Sequence, residues 1–201
     1  MLITFEGIDG SGKSTQISLL KDKLSSLGKI VQVFREPGGT EVSEQIRTIL
    51  LNNNSNIDPV TELLLFSSAR SQLMSEKVLP ALERGEVVIL DRFYDSTTAY
   101  QGYGRESLPL DQIQQINEIA SHQRAPDFTF YLRLSLQESN DRRAHMSKDR
   151  MESSGDEFFL KVIKGFDALA EKEDRFVIIE ASKSVEEIHE SIVNVLSQRL
   201  P

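Results

Sequence analysis

Apolar residues recur along this chain in two rhythms, and the changes between them lay out its elements. Leu2-Ile3-Thr4-Phe5 is short and β-prone. Past a glycine-rich interval, Ile17, Leu20, Leu24 and Leu27 return every three or four residues, which gives a helix one apolar face, and Gly28 closes it. Lys29 to Phe34 reads as a second strand, and Val42, Ile46, Ile49 and Leu50 mark a short helix. Asp58-Pro59 is a cap followed by proline at the first helical position. From there Val60, Leu63, Leu64, Ser67 and Met74 outline a long helix running toward Gly85. Val87-Val88-Ile89-Leu90 is a continuous apolar run, as expected of a central parallel strand covered on both faces, and it ends at Asp91-Arg92.

A helix bearing Ile113, Ile116 and Ala120 leads to a strand from Phe128 to Leu134, introduced by Pro126-Asp127. Ser135 and Glu138 form a capping-box pattern that opens the next helix. Residues 141–155 are polar, carry Arg142, Arg143, Lys148 and Arg150, and read as a basic flap ahead of an amphipathic helix with Phe159, Val162, Ile163, Phe166 and Leu169. Phe176 to Ile179 is a fifth strand, and Ser184 with Glu187 caps a last helix bearing Ile188, Ile192 and Val195. Five strands alternating with helices imply an α/β fold, doubly wound about a mainly parallel sheet, with ligands beyond the carboxyl ends of the strands. With 201 residues, 39% of them hydrophobic, the chain suffices for one core and reads as a single domain over residues 1–201. The asparagine-rich stretch at 52–56 is a connection between helices.

Composition narrows the function. There is no cysteine, which excludes disulfides, thiolate metal sites and cysteine catalysis, and the three histidines lack metal-ligand spacing. A net charge of −8 argues against a surface that coats nucleic acid. No stretch approaches the roughly 18 apolar residues of a bilayer span, and the start of the chain does not resemble a signal peptide, so a cytoplasmic protein with no membrane partner is expected.

The chemistry concentrates where the first strand ends. Gly7-Ile8-Asp9-Gly10-Ser11-Gly12-Lys13-Ser14 fits the phosphate-loop pattern G-x-x-x-x-G-K-[ST], set between a strand and a helix, with Thr15 following. Such a loop wraps polyphosphate oxygens in backbone N–H groups at a helix N-terminus. Lys13 supplies a cation for the β- and γ-phosphates, and the Ser14 hydroxyl is the expected magnesium ligand. The second strand runs into Arg35-Glu36-Pro37-Gly38-Gly39-Thr40 and the third into Asp91-Arg92-Phe93, so three successive strand ends carry charge. Asp91 ends a buried strand much as a Walker-type carboxylate does, which suggests magnesium contact through water.

These motifs, in this order, resemble thymidylate kinase, the nucleoside monophosphate kinase that phosphorylates dTMP to dTDP. The likeness runs through nearly the whole chain. Its further landmarks are residues 65–70 (Leu65 to Arg70), Ala99-Tyr100-Gln101-Gly102, Ala125-Pro126-Asp127 and Asp149-Arg150-Met151-Glu152. The resemblance implies ATP and magnesium at the phosphate loop, dTMP across the sheet, a role in dTTP synthesis, and a homodimer.

It also implies roles for single residues. Phe66 stacks on thymine, Arg70 donates to a thymine carbonyl, Thr97 and Gln101 approach the base edge, and Tyr100 lies near the deoxyribose. Asp9 sits by the 3′-hydroxyl and the reacting phosphate. Arg35, Arg47 and Arg92 are candidate clamps on the dTMP phosphate, because guanidinium gives the bidentate geometry that an oxyanion pair prefers. Glu36 orients an arginine or a magnesium-bound water. The loop carries no basic residue between Gly7 and Gly12, which suggests that cations come from the flap, Arg143 and with it Arg150, while Arg142 is an alternative that stacks on adenine. His145 and Glu180-Ala181 depart from the expected pattern in the flap and at the end of strand five. Three other readings compete: a P-loop kinase acting on a different acceptor, a GTPase-like switch, for which the Asn-Lys-x-Asp guanine motif is absent, and a dTMP-binding regulator without catalysis.

Overall fold

The structure, a computed structural model, describes residues 1–145 and 149–197; Lys148 of the expected flap lies outside them. Five strands form one sheet in the order β2-β3-β1-β4-β5: β1 Leu2–Glu6, β2 Val31–Arg35, β3 Val87–Asp91, β4 Phe128–Arg133 and β5 Phe176–Glu180. All four pairings are parallel. The chain passes from β1 outward to β2, returns to β3 beside β1, and then crosses to β4 on the other side. The switch point therefore lies at the carboxyl end of β1, where such folds open a ligand crevice. The register carries Phe5 opposite Asp91 and Arg35 opposite Asp91, which brings the ends of β1, β2 and β3 level.

Helices α1 Lys13–Ser26, α2 Glu41–Leu51, α3 Pro59–Leu73, α4 Leu79–Glu83, α5 Tyr94–Thr97, α6 Leu110–Ala120, α7 Leu136–Arg142, α8 Asp156–Lys172 and α9 Val185–Ser197 surround the sheet. β1 is buried along its whole length. The larger core joins Ile17, Leu20 and Leu24 of α1 to the sheet and to Phe158, Phe159, Val162 and Phe166 of α8, with Ile188 and Ile192 of α9 alongside. The other packs Leu73, Met74 and Val78 against Leu2, Val88 and Leu90.

Two departures from the sequence expectation have local causes. β2 begins at Val31 rather than Lys29, because the amides of Gly28 and Lys29 are spent on Ser25 and Leu24 carbonyls, the hydrogen-bond pair that terminates α1 through a left-handed glycine. The long helix toward Gly85 is interrupted by a π turn at Met74–Val78, where the Leu79 amide reaches back to the Met74 carbonyl. Pro80 sits at the start of α4 and has no N–H to continue the ladder, so the turn widens ahead of it. A second π turn, Thr98–Gly104, extends α5. It packs on α8 so closely that a Cβ on Gly104 would meet the Phe158 ring at 2.5 Å and one on Gly165 would meet Tyr103 at 2.9 Å.

Candidate active site

Beyond the ends of β1, β2 and β3 lies a cavity of about 580 Å³, within the range of small-molecule sites. The phosphate loop forms one end. Gly7, Gly10 and Gly12 all take positive φ, and two of them show why glycine is needed. A Cβ at Gly7 would meet the Leu132 carbonyl oxygen at 2.5 Å, while at Gly12 the space is open. Gly7 thus lets the loop lie against β4, and Gly12 leaves the cavity side of the loop uncrowded. The Ser139 hydroxyl donates to the Asp9 carbonyl at 2.7 Å, tying the loop to α7.

The Lys13 ammonium is folded onto this loop, donating to the carbonyls of Gly7 at 2.9 Å and Ile8 at 3.2 Å. Burial, together with the charge of Arg92, lowers its pKa, while Asp9 and Asp91 oppose the shift. A polyphosphate beside it would favour the charged form. The Ser14 hydroxyl donates to Asp91 Oδ2 at 3.3 Å, so a hydroxyl and a carboxylate stand side by side at the helix start. These hard oxygen donors suit magnesium. Among the described residues no group of three or more acidic or histidine side chains is placed to hold a metal, so phosphate oxygens and water would complete the shell.

Arg92 is held in a left-handed backbone conformation with φ 69°. Its guanidinium donates to Asp9 Oδ1 at 2.6 Å and to the Gly7 carbonyl at 2.9 Å, and lies 5.1 Å from the centre of the Tyr100 ring. Burial would raise the Asp9 carboxyl, but Arg92 and Lys13 outweigh it and hold the group well below the usual carboxylate range. Behind Arg92, the buried Glu6 accepts from the Phe93 amide at 2.7 Å and the Ser96 hydroxyl at 2.5 Å. Burial, reinforced by Asp95, pushes the Glu6 pKa up to about 8.

At the other end of the cavity Arg70 is almost wholly buried. It donates to Glu36 Oε2 at 2.7 Å, to the Thr97 hydroxyl at 2.9 Å and to Asn117 Oδ1 at 3.4 Å, and lies over the Phe93 ring. Burial pushes the Glu36 pKa up to about 7 against the pull of Arg70, and Glu36 Oε1 is buried without a hydrogen-bond partner in the protein. Phe66, one turn from Arg70 on α3, lines the same wall, as do Tyr100 and Gln101 from the turn after α5. Arg47 lines the cavity and donates to the Pro37 carbonyl at 2.8 Å. Arg35 also lines it, but its side chain is 57% exposed and pairs with Glu44 at 3.2 Å.

The flap arginines separate in their contacts. Arg143 is 7% exposed and reaches the cavity, 2.9 Å from Glu152 and 3.9 Å from Asp9, with Nε buried and unpartnered. Arg142 bridges the Gly10 and Ala181 carbonyls at 3.0 and 2.8 Å. The structure does not bring Arg150 to the cavity. Its Nη1 pairs with Glu62 at 2.6 Å and its Nε donates to the Leu50 carbonyl at 2.7 Å, because a buried carboxylate on α3 draws the guanidinium inward.

Of the other expected residues, Ile8 and Ser11 are buried behind the loop, while Gly10, Gly12, Thr15, Asp91 and Thr97 line the cavity. Sequence reasoning passed over Glu6, Ser96, Asn117 and Glu62. A signal was present for two of them: Asn117 falls on the stripe of Ile113 and Ala120, and Glu62 lies one turn before Phe66 and two before Arg70. A polar residue on a buried stripe marks a place where a polar partner is needed.

Comparison with known proteins agrees with this geometry. A family model described as thymidylate kinase matches residues 5–192. The chain is 51% identical to a thymidylate kinase from Chlorobaculum parvum, with 98% of this chain and 95% of that protein covered. It is 44% identical to one from Thermoanaerobacter sp., with 98% of each covered. A crystal structure of thymidylate kinase from Ehrlichia chaffeensis superposes with a TM-score of 0.80 at 34% identity, covering 98% of both chains.

Proposed function

The chain belongs to the thymidylate kinase family, and we propose that its cavity carries out the family's reaction, transfer of the γ-phosphoryl group of ATP to dTMP to give dTDP and ADP in dTTP synthesis. One observation carries the assignment of ends: a phosphate loop and a buried Glu36-Arg70 pair with Phe66 beside it face the same cavity. ATP phosphates lie on residues 7–15, and dTMP lies between Phe66, Arg70, Thr97, Tyr100 and Gln101, with its phosphate toward Arg35, Arg47 and Arg92.

Phosphoryl transfer needs alignment and cations where charge spreads, with little covalent help from the protein. Lys13 leaves the Gly7 and Ile8 carbonyls for the phosphate oxygens. Arg92, anchored on Asp9 and Gly7, holds the acceptor phosphate in line, and Arg143 brings a second guanidinium beside Asp9. Magnesium held through Ser14 and Asp91 would neutralise β- and γ-oxygen charge. Glu36 keeps Arg70 aimed at the base.

The chain works as one domain, with Arg143 as the catalytic cation of the flap segment on the ATP side and Arg150 as its anchor on α3. A homodimer is supported by the apolar side chains that α2, α3 and α6 leave in solvent, Val42, Ile49, Leu64 and Ile119. A cytoplasmic location suits an enzyme that draws on ATP, and among the described residues no helix is long and apolar enough to cross a membrane. The test is ADP formation from ATP and magnesium with dTMP, dUMP, dCMP and dGMP as acceptors. A strong preference for dTMP is expected; equal use of another monophosphate would overturn the base assignment. Sedimentation of the pure protein tests the dimer.

A further inference from the structure

Glu62 is a carboxylate sealed inside α3, with its side chain 1% exposed, and it does not line the cavity. Its Oε2 receives Arg150 Nη1 at 2.6 Å, and its Oε1 receives Arg105 Nε at 3.2 Å and Gln101 Nε2 at 2.9 Å. An ionised carboxylate is an acceptor only. Gln101 must therefore turn its amide nitrogen toward Glu62, and its carbonyl oxygen is left to point the other way. Gln101 itself lines the cavity, and among the described residues no donor reaches its Oε1.

From this we propose, resting on the reading of that end of the cavity as the base site, that Glu62 is a positioning residue for base selection: it fixes the Gln101 carboxamide with the acceptor oxygen toward the base. Thymine presents a ring N–H at N3, which such an oxygen accepts. Cytosine presents a bare N3 acceptor at the same place, and two acceptors face to face repel. A site built around one hydrogen-bonding sense discriminates strongly, because the wrong partner leaves buried polar groups unpaired. The two arginines supply the other half of the device. With both guanidiniums donating to it, Glu62 cannot release its oxygens to suit a flipped amide, and Arg105 Nη2 is itself fixed by the Ser154 hydroxyl at 2.8 Å.

Glu62→Gln tests the orientation. Its one oxygen goes to Arg150, the closest donor, which leaves an NH2 facing Gln101 and favours the flipped amide. The expected result is a fall of about tenfold or more in the kcat/KM ratio of dTMP over dCMP, carried mainly by a higher KM for dTMP. Glu62→Asp keeps an acceptor-only group and should hold the ratio within about threefold of the native value. An unchanged ratio in folded Glu62→Gln, or an equal loss in Glu62→Asp, would overturn the proposal, since a purely structural role lowers the unfolding temperature without changing acceptor preference. Should Glu62→Gln not fold, the double variant Glu62→Gln, Arg105→Met removes the guanidinium left facing the NH2, keeps the oxygen on Arg150, and its ratio is read the same way. Gln101→Ala separates the two levels. If it too leaves the ratio unchanged, the base-site reading fails; if it collapses the ratio while Glu62→Gln does not, only the role of Glu62 fails.

Discussion

The Arg70 guanidinium and the Glu36 carboxylate meet at 2.7 Å with side chains only 2% and 4% exposed, which makes them a buried ion pair at the wall of a ligand cavity. Removing one partner of such a pair strands the other charge. Arg70→Met is expected to cost about 3–5 kcal/mol of stability by denaturant unfolding. It should also raise the KM for dTMP far more than the KM for ATP in steady-state kinetics. A variant with both KM values unchanged would remove Arg70 from the base site.

The same burial makes stability depend on pH in a definite sense. Glu6 is pushed up to about 8 and Glu36 to about 7, while an unfolded glutamate ionises near its ordinary value. Above that value the folded chain holds protons that the unfolded chain has lost, so the stability contribution is full at low pH and is lost as pH rises through about 7 to 8. Thermal unfolding between about pH 5.5 and pH 8.5 should show this decline, and Glu6→Gln, which still offers an oxygen to the Phe93 amide, should make it shallower. Equal slopes for the two proteins would contradict the protonated Glu6.

Two glycines in the phosphate loop should fail differently when changed to alanine. At Gly7 a Cβ collides with the Leu132 carbonyl in addition to the positive φ, so instability is expected, beyond the roughly 1–3 kcal/mol of backbone strain alone. At Gly12 only the strain applies, since the space around an added Cβ is open and the residue lines the cavity. Gly12→Ala is therefore expected to fold but bind ATP poorly. Unfolding curves and ATP titrations of the two proteins distinguish these outcomes.

Arg143 and Arg150 of the flap segment also separate. Arg143 faces the cavity beside Asp9, so Arg143→Ala is expected to lower kcat by about a thousandfold or more, the scale of a lost arginine finger, at little change in stability. Arg150 holds Glu62 and the Leu50 carbonyl, so Arg150→Ala should chiefly lower the unfolding temperature. Reversed effects would make Arg150 the catalytic cation.

Much of this was legible in the sequence, and the rest was hidden for physical reasons. The phosphate loop reads directly because its glycines, lysine and serine are contiguous and each meets a local need. The strands read well because a parallel sheet covered on both faces demands unbroken apolar runs such as Val87 to Leu90. The turn at 98–104 gave no helical rhythm, since it is packed against α8 on one side and lines the cavity on another, and its periodicity is lost. The contacts of Arg150 and Glu62 depend on partners distant along the chain, 39 and 43 residues for Gln101 and Arg105 on Glu62 and 100 for Leu50 on Arg150, and the arginine's charge alone pointed to the ATP side. Asn117 was passed over because its neighbours Ile113 and Ala120 made the stripe read as plain core.

The most direct measurement is the stoichiometry of transfer: chromatographic identification of dTDP and ADP from ATP, magnesium and dTMP, with the native protein and Lys13→Met. The native protein should form dTDP and ADP one for one, and Lys13→Met should still bind dTMP while its turnover falls by about a hundredfold or more. ADP without dTDP, or undiminished transfer by Lys13→Met, would contradict a cavity in which the phosphate loop delivers a phosphoryl group to dTMP.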